Sequence, residues 1–268
     1  MEAVCYNGTI LPAHQPLFTA QNRSFRYGDG LFETMKIFQN NILLFPYHFD
    51  RLYTSLHLLN IHMPSSFSQD KLYADIMMLC KQNNCNRLGR VRLAVFRNEN
   101  NQAEYVIEAN ALSDDIMEWN KNGWTTDIYP FARKSGDAFS NLKTANFLPY
   151  VLAAHYAKEK KLDEVLVLNT SNAIADGSKT NIFLIKDNEV YTPALHQGCI
   201  NGVMRRYVID ELKKNSFIVH QIEVKEEMLW QADEIFLTNA LVGIRWVEFF
   251  REKHYAFTKT KQIYQLLF

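Results

Sequence analysis

The stretch SNLKTANFLPYV, residues 140–151, sets Lys143 among Ser140, Asn141, Thr144 and Asn146, just ahead of the apolar Phe147, Leu148, Tyr150 and Val151. An ammonium at the edge of a buried element is costly to desolvate. Two readings are open. Lys143 lies in solvent at a helix start, as most lysines do, or it is neutral part of the time and its amine does chemistry. In HQGCINGVMRRYVIDEL, residues 196–212, Gly198 and Gly202 precede a helix that begins near Val203. Such a start presents unpaired N–H groups and the positive end of the helix dipole, which suits a phosphate. Arg51 falls mid-helix near the apolar side. A snorkelling surface arginine has that placement, and so does a guanidinium fork that grips a phosphate. Asp176, in AIADGSKTNIFLIK (173–186), reads as a turn aspartate between two strands, beside Gly177 and Ser178. RYGDGLFETMKI (26–37) is a glycine turn running into a strand, and read by itself it is a hairpin. Taken together, an imine-forming lysine, a phosphate cradle, an arginine fork and a carboxylate are what a cofactor with an aldehyde, a phosphate and a ring nitrogen requires.

The elements that must position these groups are legible. LFETMKIF (31–38), the turn QNN and ILLF (42–45) predict a hairpin. Phe49, Leu52, Tyr53, Leu56 and Leu59 recur at helical spacing over 46–61, with Pro46 at a first helical position. A second amphipathic helix covers 68–82, and paired strands cover 90–97 and 104–112. The polar patch SDDIMEWNKNG (113–123) is the expected domain boundary, giving units of 1–118 and 119–268. The second unit reads as a strand at 124–130, a helix at 147–161, strands at 164–170, 180–186 and 190–193, a helix at 203–214, and a strand at 217–224. A short helix at 225–232, strands at 234–239 and 244–250, and a helical tail from Thr258 complete it. The class is α+β.

Composition narrows the functions. The chain has 268 residues, 47% of them hydrophobic, enough for a real core. Lys+Arg and Asp+Glu are 29 each, so no basic field points to nucleic acid. Cys5, Cys80, Cys85 and Cys199 form no CxxC pair and no zinc spacing, and read as reduced, mostly buried thiols of a cytoplasmic protein. HExxH is absent and no metal site is expected. Residues 1–20 lack a basic region followed by an apolar run, so no signal peptide is expected, and no apolar run reaches membrane-spanning length.

The ordered series YGDGLFE, HFDRL, LK with Asn146 three residues on, ADGSKTNIF, NGVMR and ADEIFLTNA resembles the class IV, or fold-type IV, pyridoxal-phosphate enzymes. These include the branched-chain and D-amino acid aminotransferases and the 4-amino-4-deoxychorismate lyases. The resemblance runs from about residue 25 to about 247. It implies a two-domain fold like that of D-amino acid aminotransferase, with pyridoxal 5′-phosphate between a smaller N-terminal α+β domain and a larger β-rich one. It assigns Lys143 to the imine and the proton shuttle, and Arg51 to the phosphate. Val203 and Met204 match positions whose main-chain N–H groups meet the phosphate, and Asn239 and Ala240 match the stretch that closes its other side. Many members carry a hydroxyl residue where Ala240 stands, so one side-chain contact is missing. Asp176 matches the carboxylate that partners the ring nitrogen. Aspartate is one methylene shorter than the usual glutamate, which calls for an inward loop or a bridging water.

Tyr27 matches a pocket tyrosine of branched-chain enzymes. Phe32 stands where D-amino acid aminotransferases carry a carboxylate-binding tyrosine. Arg92 and Arg97 flank the strand that supplies carboxylate-binding groups in relatives, and each reads equally as a surface arginine. LK with Asn146 and TNAL (238–241) resemble the lyases more than the branched-chain enzymes, whereas the short polar RNENNQAEY does not. The implied activity is amino transfer on an amino acid or keto acid, with pyruvate-releasing lyase as the alternative, since one carbanion chemistry serves both. A binding protein that kept the fold and lost turnover is the reading from another class, on the strength of Asp176 and Ala240. The resemblance further implies a homodimer with no nucleic-acid or membrane partner.

Overall fold

The computed structural model describes residues 2–64 and 67–268. The chain divides into two units. The first holds the residues as far as Glu118 together with Leu142–Asn146, and the second holds Trp119–Asn141 and Phe147–Phe268.

In the first unit, β1 (Ala3–Tyr6) and β2 (Thr9–Pro12) form a hairpin, followed by the short helix α1 (Arg23–Tyr27). Then come β3 (Gly30–Phe38), β4 (Asn41–Ile42), α2 (Phe45–Leu58), α3 (Gln69–Gln82), β5 (Leu88–Arg97) and β6 (Ala103–Ala111). The strands make one antiparallel sheet in the order β2-β1-β6-β5-β3-β4. The β3–β4 turn is Gln39–Asn40, both at positive φ, the twist a two-residue hairpin prefers. The strand expected over 42–45 is shorter than its pattern, because Leu44 turns left-handed at φ 56° and Phe45 already starts α2. Alternation along β3 puts Leu31, Met35 and Ile37 into the core with Leu52, Leu56, Leu72, Ile76 and Leu79 of the two helices. Glu33 shares that apolar face.

A single boundary at 118/119 requires one correction. Leu142–Asn146, expected in the second unit, continue the first unit's sheet: Phe32 N–H donates to Lys143 C=O at 3.0 Å, and Ala145 N–H to Gly30 C=O at 2.8 Å. Leu31 bridges Thr144 antiparallel, and Leu142 joins the core.

The second unit runs β7 (Trp124–Lys134), α4 (Leu148–Glu159), β8 (Glu164–Asn169), β9 (Ile174–Gly177), β10 (Asn181–Lys186) and β11 (Glu189–Pro193). It continues with α5 (Val203–Lys214), β12 (Val219–Ile222), α6 (Glu226–Gln231), β13 (Glu234–Asn239), β14 (Gly243–Phe250), β15 (Lys253–His254) and α7 (Thr258–Leu267). Its mixed sheet has the order β12-β11-β10-β13-β14-β7-β8-β9, with β15 on β14. The β11–β12, β14–β7 and β7–β8 pairs are parallel. Asp176, expected in a turn, lies within β9 opposite Val167. The β9–β10 connection is organised by Glu164, which is fully buried. Its carboxylate accepts from Ser178 N–H (3.0 Å) and Oγ (2.5 Å), Thr180 Oγ1 (2.9 Å) and Val165 N–H (3.0 Å). Among the described residues no helix is long and apolar enough to cross a membrane.

Truncating Glu164 would leave several buried donors unmet. Glu164→Ala is expected to cost about 3 kcal/mol or more, read as a lowered urea midpoint, with Glu164→Gln costing less because it keeps one acceptor.

Candidate active site

Two sets of groups were built, one in each unit. In the first, segment 143–145 lies against the start of β3, and the Lys143 ammonium stands 4.6 Å from the Phe32 ring centroid. The Arg92 guanidinium stands 4.2 Å from the same centroid. Phe32 itself is buried. On the opposite face of β3, Glu33 is the organising charge. Arg51 donates to it twice, from Nε to Oε1 at 2.8 Å and from Nη2 to Oε2 at 2.5 Å. His48, one helical turn before Arg51 on α2, meets Oε2 through Nδ1 at 2.6 Å. Burial pushes the Glu33 carboxyl up, but Arg51 and His48 outweigh it and hold it down to about 2. Burial pushes His48 below its ordinary value, so the imidazole is neutral and donates Nδ1–H to the ionised Glu33. That leaves Nε2 as a buried acceptor without a hydrogen bond. Lys143 adds to the field that disfavours charge on His48.

In the second unit the groups converge on the loop before α5. Gly202 is the N-cap and supplies no side-chain cap, so the first-turn N–H groups of Val203 and Met204 lack one. A Cβ at Gly202 would stand 1.8 Å from Asn181 Oδ1, so only glycine lets the backbone come this close. Asn181 Nδ2 donates to Ile200 C=O at 3.0 Å, and Asn181 pairs with Thr238 across β10–β13. Thr238 Oγ1 is buried without a hydrogen bond. Asn239 caps the next turn, accepting from Leu241 and Val242 N–H at 2.9 Å, with Ala240 between. An open helix start and an orphaned buried hydroxyl fit a phosphate group. Asp176 accepts from Tyr150 OH at 3.0 Å to each oxygen and from Ile200 N–H at 2.8 Å. Lys134 Nζ lies 3.7 Å from its Oδ2.

The remaining expected residues stand as follows. Tyr27 ends α1, exposed, with the Arg23 guanidinium 5.3 Å from its ring centroid. Arg97 is held by side chains and backbone of the first unit. Its Nε meets Asp29 at 3.0 Å, Nη1 reaches Asn60 C=O and Asn101, and Nη2 reaches Leu59 C=O, so each nitrogen of the fork already has a partner. Glu33, His48, Tyr150 and Lys134 were not singled out from sequence. For Glu33 the signal was present: a carboxylate on the apolar side of an alternating strand is a buried charge in need of partners.

The sequence model for amino-transferase class IV matches residues 30–248. The chain belongs to the class IV amino-transferase family. Members of this family are enzymes with pyridoxal phosphate as cofactor, and so is this one. Over 250 residues this class IV chain is 24% identical to the D-alanine aminotransferase of Listeria innocua, covering 90% of this chain and 85% of that one. It is 25% identical over 249 residues to the aminodeoxychorismate lyase of Bacillus subtilis, covering 89% and 83%. The branched-chain aminotransferase of Thermoproteus uzoniensis, solved with norvaline, superposes with a TM-score of 0.87 at 20% identity, covering 98% of this chain and 92% of that one. These likenesses make the fold that of the fold-type IV aminotransferases.

Because Glu33 in the folded class IV chain lies below its ordinary value of 4.5, its contribution to stability is full above that pH and is lost as the pH falls toward about 2. Glu33→Gln is expected to flatten that acid limb and, by leaving the Arg51 guanidinium without its anion, to cost about 3 kcal/mol at pH 7. Urea titrations of both proteins between pH 7 and pH 2.5 check both effects.

Proposed function

We propose that this chain moves an amino group between an amino acid and a keto acid, with Lys143 as the catalytic amine. The observation that carries the reading is the pairing of residues 143–145 with β3, which fixes the Lys143 main chain beside Phe32 in the unit that also holds Arg51. Pyridoxal phosphate, when bound, supplies an aldehyde carbon for amines and a ring that accepts electrons from the substrate Cα. Lys143 Nζ would hold that group covalently, and its amine is the base that would carry the substrate Cα proton. Arg51, oriented by Glu33, would serve the phosphate, as would the Val203 and Met204 N–H groups and the Asn239–Ala240 stretch. Asp176 is the carboxylate that would hold the proton of the ring nitrogen. Arg92 and Tyr27 serve the substrate, Arg92 as the cation for its carboxylate.

A second reading, aminodeoxychorismate lyase, is favoured by LK with Asn146, by TNAL, and by the 25% identical Bacillus subtilis enzyme of that name. It keeps the same amine and the same proton transfer, and differs in a substrate that carries a leaving group. The same reading takes the protein to be cytoplasmic, in keeping with four free buried thiols, and to act as a homodimer.

The purified protein is expected to show a visible absorption band that borohydride abolishes, with the label on Lys143 by peptide mass spectrometry. Lys143→Ala is expected to lose that band and at least about 10⁴-fold in rate. Keto-acid-dependent amino transfer from D- or L-amino acids supports the first reading. Pyruvate release from aminodeoxychorismate without a keto acid supports the second. A label on another lysine refutes both.

A further inference from the structure

Lys134 is a buried cation for which the roles above give no account. It ends β7 and pairs with Asn169 of β8, while Asp176 pairs with Val167 on the other side of the same strand. Asn169 and Val167 are two residues apart, so Lys134 and Asp176 share one face of the sheet. Tyr150 of α4 covers that face, packed with Val165, Val167 and Ile200. The Lys134 side chain is 11% exposed. Its ammonium has three donors and no hydrogen bond. It stands 3.7 Å from Asp176 Oδ2, and 5.1 Å from the Tyr150 ring centroid. An ammonium taken out of water is among the costlier groups a core can hold. A carboxylate already accepting from Tyr150 OH and Ile200 N–H has its hydrogen bonds without Lys134, so this cation contributes charge rather than a bond.

We propose that Lys134 is a positioning residue, the fixed cation against which the Asp176 carboxylate is held and which sets the electrostatic potential at that carboxylate. This rests on the assignment of Asp176 to the cofactor ring nitrogen. The charged and titratable groups facing Lys134 are Asp176 on β9, Tyr150 on α4, Cys199 in the loop before α5 and Asp137 in the loop after β7. Arg205 of α5 feels both Cys199 and Asp176 but bonds Pro193 C=O and Gln221 instead. Burial lowers Lys134 from its ordinary value, and Asp176 and Cys199 oppose that. A cation at this distance lowers the proton affinity of every acceptor around it. Lys134 therefore keeps Asp176 from acting as an unbalanced anion and tempers how strongly it raises basicity in the site.

The test compares the full-length protein with Lys134→Met and Lys134→Arg, each loaded with pyridoxal phosphate. The pH midpoint of the visible band is expected to rise by about one unit, a tenfold change in proton affinity, in Lys134→Met and to return in Lys134→Arg. In the cofactor-free proteins, a urea double-mutant cycle over Lys134→Met and Asp176→Asn is expected to show coupling between the two positions. Should the methionine variant not fold, Lys134→Gln serves the same comparison. A midpoint that stays or falls while borohydride still labels Lys143 overturns this proposal alone. A wild-type protein with no label on Lys143 overturns it together with the cofactor assignment. A coupled pair whose arginine variant behaves like the methionine variant assigns Lys134 to structure only and also overturns it.

Discussion

A carboxylate inside a protein must be met by donors or cations, and that constraint shapes this molecule at four places. Glu33 is met by Arg51 and His48, Glu164 by the 178–180 turn, and Asp176 by Tyr150, Ile200 and Lys134. Glu234, the first residue of β13, accepts from Lys259 and Thr260 N–H and so caps α7, whose N-cap Phe257 has no side chain to do it. Each of these carboxylates sits on a strand and reaches to a helix or loop. Each therefore fixes the angle at which a non-strand element meets its sheet.

The groups proposed to do chemistry are carried by the segments so fixed. Glu33 orients the Arg51 fork, since two parallel N–H···O bonds leave a planar guanidinium little rotational freedom. Glu164 sets the connection between β9, which carries Asp176, and β10, which carries Asn181. Asn181 in turn stands against Gly202 at the start of α5. Replacing any of these carboxylates by an apolar group of similar size removes a direction as well as a charge. A greasy core could match the stability but not the orientation.

Asp176, within β9, is met by groups from three other elements. Tyr150 OH comes from α4, Ile200 N–H from the loop before α5, and an ammonium from β7. The carboxylate is thereby anchored in three directions, and its net charge is balanced locally.

Most elements and the main motifs were legible in the chain. The periods of α2 and α3, the span of α5 from Val203, and β13 over 234–239 all follow from local patterns of apolar residues, prolines and glycines, because one face of each element is buried. Lys143, Arg51, Asp176 and Gly202 were singled out because their residue types stand out at their positions. What the sequence could not decide was who meets whom. Leu142–Asn146 were expected in the second unit and instead pair along the start of β3, since an open strand edge is satisfied by backbone from any part of the chain. Arg97 read as a candidate ligand contact, yet its partners Asp29, Leu59, Asn60 and Asn101 come from several segments. Lys134 carries no local mark at all. Its meaning depends on β8 lying between β7 and β9, and strand order is set by long-range pairing that no short stretch of residues encodes.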